Sequence, residues 1–361
     1  MYKGNHKELE QVIMQHFSKK IPLYVWGSFG IGKSDSIEQV ARLIAKEKGM
    51  EFSMELKDMN REDVFMLWDK RMTLDDPTDI KGLPNLNGSG TTKWLPPEEL
   101  PKSGQGILFL DELNLAPPMV QKAAYQLINK GRVGSYKLPQ DWYVIAAGNR
   151  NKDKANVFNL PAPLLDRFTH FELQAPSVEK WTSWASKNGV DKRVMSFLNF
   201  RKGYLNKIDF GKEDKSFATP RAWDRVSQLI KGVENTVDVL MYCSCGLPEG
   251  IATEFNAFLR LRDGINLQEF LKNPEKASIP EEMDKRYALI TALAEHYSEK
   301  SDQILFDKIA QTSFNVEPEY GVLLLRLCKE YCPRAFSNHV KKSKFKTEIS
   351  KKYIKFITNE E

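Results

Sequence analysis

The stretch Gly27-Ser28-Phe29-Gly30-Ile31-Gly32-Lys33-Ser34 constrains the fold more than any other part of the chain. It fits G-x-x-x-x-G-K-[ST] at every fixed position. The apolar run Leu23-Tyr24-Val25-Trp26 precedes it, and Ile37, Val40, Ala41 and Ile44 follow with the spacing of one helical face. A loop set between a strand and a helix N-terminus turns its backbone N–H groups toward an anion, with the helix dipole behind them. In such a loop Lys33 can reach β- and γ-phosphates, and the Ser34 hydroxyl can hold Mg²⁺. Gly27, Ser28, Phe29, Gly30, Ile31, Gly32, Lys33 and Ser34 are therefore the expected phosphate-binding residues.

The surrounding pattern alternates strands and helices. Residues 7–20 read as a helix, and the loop's own helix ends at Gly49. Glu51–Leu56 reads as a second strand, and residues 61–70 as a helix. Asp75–Gly106 is rich in Gly and Pro with no core period, so it reads as a long functional loop. Ile107-Leu108-Phe109-Leu110 is apolar without alternation, as in a central parallel strand buried on both faces. A helix from Pro117-Pro118 to Gly131, a hairpin over 132–141, and strands at Trp142–Ala147 and His170–Leu173 follow. This predicts a doubly wound α/β sheet whose ligand lies beyond the strand C-termini. From Ser177 onward helical periodicity dominates, with helices expected from Thr219-Pro220 and over Asn266–Lys272, Met283–Tyr297 and Tyr320–Tyr331.

The strand over 107–110 ends in Asp111-Glu112. Asp111 can complete a Mg²⁺ shell with Ser34, and Glu112, pointing differently, can polarise an attacking water. Asn149 closes the next strand, where it can orient water or touch a γ-phosphate; asparagine is also a common turn residue there. Arg167, in Asp166-Arg167-Phe168, leaves a helix end and is better placed for a neighbouring subunit's site than for its own. Arg221 opens a helix after Thr219-Pro220. Taken singly, either arginine reads first as an ordinary surface ion-pair residue.

The totals exclude several classes. The 53 Lys and Arg against 48 Asp and Glu give a net charge of +5 over 361 residues, too mild to name a nucleic-acid partner. No apolar run approaches the ~18 residues that cross a bilayer, and the N-terminus lacks a signal peptide's apolar segment, so a cytoplasmic location is expected. The four cysteines, Cys243, Cys245, Cys328 and Cys332, lack the C-x₂-C pairs of zinc ribbons and read as reduced thiols.

The ordered set Gly27–Ser34, Asp111-Glu112-Leu113-Asn114-Leu115-Ala116-Pro117-Pro118, Asn149, Leu164-Leu165-Asp166-Arg167-Phe168 and Thr219-Pro220-Arg221-Ala222-Trp223 resembles the MoxR branch of the AAA+ ATPases, close also to dynein- and McrB-related members. The resemblance covers residues 20–235. It implies a P-loop AAA+ doubly wound parallel sheet (1–175), an α-helical lid (176–265) and a helical C-terminal extension with a basic tail (266–361). It further implies ATP and Mg²⁺ as cofactors, with Lys33 and Ser34 in Walker A and Asp111 and Glu112 in Walker B. Asn149 corresponds to sensor 1, Arg167 to the trans arginine finger and Arg221 to sensor 2. The segment 75–106 would hold the helix-2 insert, and 131–141 the hairpin before sensor 1. Ser28-Phe29 stands where Pro-Pro is frequent, and these side chains are expected to face away from the phosphate.

By the same resemblance the chain is expected to form a homo-oligomeric ring, commonly a hexamer. There it would hydrolyse ATP to remodel or activate a protein, with a von Willebrand A domain partner. The segment 82–95, apolar and aromatic, is either a substrate-contacting loop or a packed surface loop. The alternative function is a nucleic-acid-associated McrB-like motor. It draws on seven lysines, Lys341, Lys342, Lys344, Lys346, Lys351, Lys352 and Lys355, interleaved with Phe345, Tyr353 and Phe356. A nucleotide-switched scaffold is disfavoured by the intact Asp111, Glu112 and Arg167.

Overall fold

The computed structural model describes residues 1–85, 92–150, 153, 158–210, 215–274 and 278–352. The chain forms two compact units, Met1–Pro176 and Ser177–Glu361. In the first, the elements run β1 (Tyr2–Gly4), α1 (His6–Lys19), β2 (Leu23–Trp26), α2 (Lys33–Glu47), β3 (Glu51–Ser53), β4 (Val64–Arg71) and α3 (Thr78–Lys81). Then come β5 (Leu83–Asn85), β6 (Lys93–Leu95), β7 (Gln105–Asp111), α4 (Pro118–Lys130), β8 (Arg132–Val133), β9 (Tyr136–Lys137), β10 (Trp142–Gly148), α5 (Ala162–Leu165) and β11 (Thr169–Leu173).

Among the described residues, seven strands form one sheet in the order β1-β11-β2-β10-β7-β4-β3, all paired in parallel. Successive side chains along a strand alternate between faces, and here both faces are covered. Leu23, Val25, Phe109 and Ile145 pack under Leu9 and Ile13 of α1 and Ile37 and Val40 of α2. Tyr24, Leu108, Leu110, Val144 and Ala146 pack under Val120, Ala124 and Leu127 of α4. This is why these strands read as unbroken apolar runs. β2 lies between β10 and β11, while β7, β4 and β3 extend the other way, so the loop after β2 opens at a switch point.

Residues 61–70, expected as a helix, instead supply β4. Five apolar residues between charged flanks fit either period. Pairing with β7 from Phe65↔Gln105 to Arg71↔Asp111 settles the matter, because a strand there buries both of its faces. The Asp75–Gly106 segment, expected without regular structure, contains α3 and the antiparallel β5–β6 hairpin. Lys70, with only 2% of its side chain exposed, ties that segment to β4 through Glu99 (2.8 Å) and Asp75 (3.1 Å). The Ser135 hydroxyl donates to the Trp94 carbonyl at 2.9 Å and joins the β5–β6 hairpin to the β8–β9 turn. The hairpin tip, 86–91, lies outside the described residues, as do Tyr353, Lys355 and Phe356 of the tail.

The second unit is helical: α6 (Val178–Lys187), α7 (Lys192–Phe200), α8 (Pro220–Ile230), α9 (Thr236–Gly246), α10 (Glu249–Asp263), α11 (Leu267–Lys272), α12 (Met283–Lys300), α13 (Gln303–Asn315), α14 (Pro318–Tyr331), α15 (Pro333–Lys342) and α16 (Lys346–Lys352). One core gathers around Phe197, Trp223, Phe255 and Phe258, and another around Tyr297, Phe306, Leu324 and Phe336. α8 starts where Thr219 accepts the Ala222 N–H at 3.2 Å, a side-chain cap reinforced by Pro220 in the first turn. An α/β parallel sheet followed by helices is the fold expected from the sequence. No described helix is long and apolar enough to cross a membrane.

Candidate nucleotide site

The site lies at the C-terminal ends of β2, β7 and β10. Beyond β2 the backbone enters the left-handed region at Gly30 (φ +70°) and Gly32 (φ +94°), a conformation that a side chain would strain. α2 begins immediately after, at Lys33. The Lys33 ammonium donates to the carbonyls of Gly27 (3.0 Å) and Ser28 (2.9 Å) and to Oδ1 of Asn149 (3.0 Å). Ser34 Oγ donates to Asp111 Oδ2 at 3.0 Å. Two adjacent loop residues thus meet Asn149 and Asp111, distant in sequence, as two polar pairs.

Glu112 is one of three non-glycine described residues with positive φ, here +56°. Such a conformation costs of order 1–3 kcal/mol and persists only where the surroundings impose it. Here the Glu112 N–H bonds Asp111 Oδ1 at 2.9 Å, the Leu115 N–H bonds the Glu112 carbonyl at 2.8 Å, and the Leu113 N–H reaches the Ala147 carbonyl at 3.1 Å. The bend turns the two carboxylates apart. Asp111 faces Ser34, and Glu112 accepts from the Thr73 hydroxyl at 3.2 Å.

Asn149 is 7% exposed and is clasped by Asn114. Asn114 Nδ2 donates to the Asn149 carbonyl at 2.7 Å, and Asn114 Oδ1 accepts the Asn149 N–H at 3.2 Å. A carboxamide is the shortest side chain that both donates and accepts in this way. Gly148 is required beside it, since a Cβ there would lie 2.1 Å from the Tyr24 hydroxyl and 2.2 Å from Asn114 Oδ1. Gly148→Ala is therefore expected to destabilise the unit by about 1–3 kcal/mol. Thermal unfolding checks this, and an unchanged Tm would show that the clasp can yield.

Asp69 of β4 completes the acidic side of the site. Burial, then the charge of Asp111, pushes its carboxyl up to about 6. Reading β4 as a helix hid this residue. Asn114, Thr73 and His6 also belong to the site's surroundings without being expected there from the sequence. The one available signal was a carboxamide, Asn114, within an apolar stretch, because the others come near only through the fold.

The Ser28 side chain is 1% exposed, and its hydroxyl finds no hydrogen-bond partner among the described residues. Phe29 is half-buried.

Arg167 stands at the surface with 42% of its side chain exposed, paired to Asp166 at 3.1 Å. Its neighbours fix the turn beneath it. Phe168 is buried edge-on against Tyr24, with ring centroids 5.4 Å apart. The Trp26 indole N–H donates to Nδ1 of His170 at 3.1 Å, so Nε2 carries the proton that bonds the Leu165 carbonyl at 3.0 Å. Arg221, in the first turn of α8, is exposed in the second unit.

Residues 22–168 match the family model described as AAA domain (dynein-related subfamily). No curated protein matches the chain significantly. Similar solved structures include a RuvB mutant of Thermotoga maritima (15% identity, TM-score 0.40, covering 75% of each chain). NtrX of Brucella abortus in complex with ATP aligns at 16% identity and TM-score 0.39, covering 82% of this chain and 63% of NtrX. The replication initiator DnaA bound to AMPPCP and single-stranded DNA aligns at 12% and 0.37, covering 96% and 90%. The seven-stranded parallel sheet with its covering helices is the α/β AAA+ fold.

Proposed function

We propose that this AAA+ domain binds Mg²⁺-ATP on the Gly27–Ser34 loop and hydrolyses it at a subunit interface of a ring. The observation that supports this best is the pair of contacts Lys33–Asn149 and Ser34–Asp111, each 3.0 Å, which unites the ends of three strands. Ser34 and Asp111 are hard oxygen donors side by side, the set that Mg²⁺ favours when it keeps several of its waters. When bound, the ion would neutralise charge developing on the β- and γ-phosphates. Lys33 exchanges loop carbonyls for phosphate oxygens. Glu112, held away from Asp111 by its bend, takes the proton of the attacking water, and Asn149 orients that water. Arg167 serves the neighbouring subunit. The sensor 2 role of Arg221, the lid at 176–265 and the extension at 266–361 rest on the resemblance to MoxR proteins, as does work on another protein alongside a von Willebrand A domain partner.

The test is nucleotide binding and hydrolysis by the full chain. Mg²⁺-dependent ATP turnover is expected, abolished by EDTA. Lys33→Ala is expected to weaken ATP binding by about a hundredfold, the loss of charge-assisted bonds to phosphate. Equal binding by both proteins would overturn the reading.

A further inference from the structure

We propose that His6 is a positioning residue of the nucleotide site, and that through it the first residues of the chain set the shape of the phosphate-binding loop. The proposal rests on the nucleotide reading above. A loop that turns N–H groups inward turns carbonyls outward, and each of those needs a donor. Lys33 supplies Gly27 and Ser28. Ser36 supplies Gly32, through its N–H at 3.0 Å and its hydroxyl at 2.8 Å. The Ile31 carbonyl takes Nε2 of His6 at 2.8 Å, from 25 residues away.

A carbonyl only accepts, so Nε2 carries the proton. The peptide plane makes this bond matter. In a trans peptide the C=O and the following N–H point in opposite directions. A donor that draws the Ile31 oxygen outward therefore aims the Gly32 N–H inward. Gly32 is where rotation would otherwise be easy, since glycine at φ +94° has other conformations open to it. The ring also lies against this residue, for a Cβ on Gly32 would sit 3.3 Å from Nε2.

His6 is itself held firmly. It opens α1 directly after Asn5, whose side chain accepts from the N–H groups of Lys7 (3.0 Å) and Glu8 (3.2 Å) while Glu8 accepts the Asn5 N–H at 2.7 Å. This reciprocal cap fixes the helix start. Upstream, β1 pairs with β11 from Tyr2↔Phe171 to Gly4↔Leu173. Downstream, Leu9 and Ile13 are buried in the same core as Ile37 and Val40 of the loop's helix. Both ends of the His6–Ile31 bond are thus anchored to one rigid layer. Such preorganisation appears in affinity rather than in the chemical step.

The experiment compares wild type, His6→Ala, His6→Phe, His6→Gln and Lys33→Ala as full chains, by titration with a fluorescent ATP analogue and by steady-state hydrolysis. Removing one bond to a buried acceptor is expected to raise Kd and KM about tenfold in His6→Ala. The value of kcat at saturation should stay within about twofold, the mark of lost binding rather than lost chemistry. His6→Phe keeps the ring's bulk without the donor and should match His6→Ala. His6→Gln places an amide N–H near the position of Nε2 and should recover most of the affinity. Wild-type Kd and KM in His6→Ala and His6→Phe would overturn the inference. So would equal weakening in His6→Gln and His6→Phe, which would make the effect one of packing. Equal binding by wild type and Lys33→Ala overturns the nucleotide reading itself, and this inference with it.

Discussion

Arg167→Ala is expected to lower ATP turnover by about 10³–10⁵-fold while leaving ATP affinity near wild type, the scale of an arginine finger. The structural reason is a division of labour within three residues. Phe168 is buried and anchors the turn, Asp166 pairs with Arg167 at 3.1 Å, and Arg167 remains 42% exposed. Releasing a surface pair of that kind costs little stability, so a large catalytic loss with an unchanged Tm would point to a role outside the Arg167 subunit. Mixing Arg167→Ala with Lys33→Ala sharpens the test. Each variant alone should be nearly inactive, yet in a mixed assembly an intact loop meets an intact arginine and some turnover returns. Wild-type turnover by Arg167→Ala would remove the residue from the mechanism, and mixtures with no recovery would remove the subunit interface.

The second large effect is expected for Glu112→Gln, which should bind ATP normally but hydrolyse it about 10²–10⁴-fold more slowly, the usual contribution of a positioned base. The amide keeps the side chain's shape and its capacity to accept from Thr73, so the strained bend at φ +56° should survive. What disappears is the lone pair that takes a proton. Single-turnover assays should find unhydrolysed ATP retained on the protein. Normal turnover would exclude Glu112 as the base, and Thr73 would then hold it for a structural reason.

Much of this site is legible in the sequence because its chemistry is local. The Gly27–Ser34 loop needs glycines, a lysine and a hydroxyl at set spacings, and no other part of the chain has to be consulted. Asp111-Glu112 is legible because a buried central strand admits four apolar residues in a row and then stops. The unread parts act at a distance. β4 reads as a helix because Val64–Trp68 carries no decisive period until β7 lies beside it, and that reading hides Asp69 as well. Thr73 and His6 carry no motif, and Asn114, although it stands in the stretch after Asp111-Glu112, shows its role only in facing Asn149.

The sequence by itself determined the phosphate loop, the paired carboxylates and the alternation of buried strands and amphipathic helices, for these are written in spacing and in hydrophobic period. Tertiary structure alone decided which strands are neighbours, that Asn114 clasps Asn149, that Glu112 bends away from Asp111, and that His6 reaches the Ile31 carbonyl. A hydrogen bond between residues far apart in the chain leaves no periodic trace, and it exists only once the parallel sheet has set its strand ends side by side.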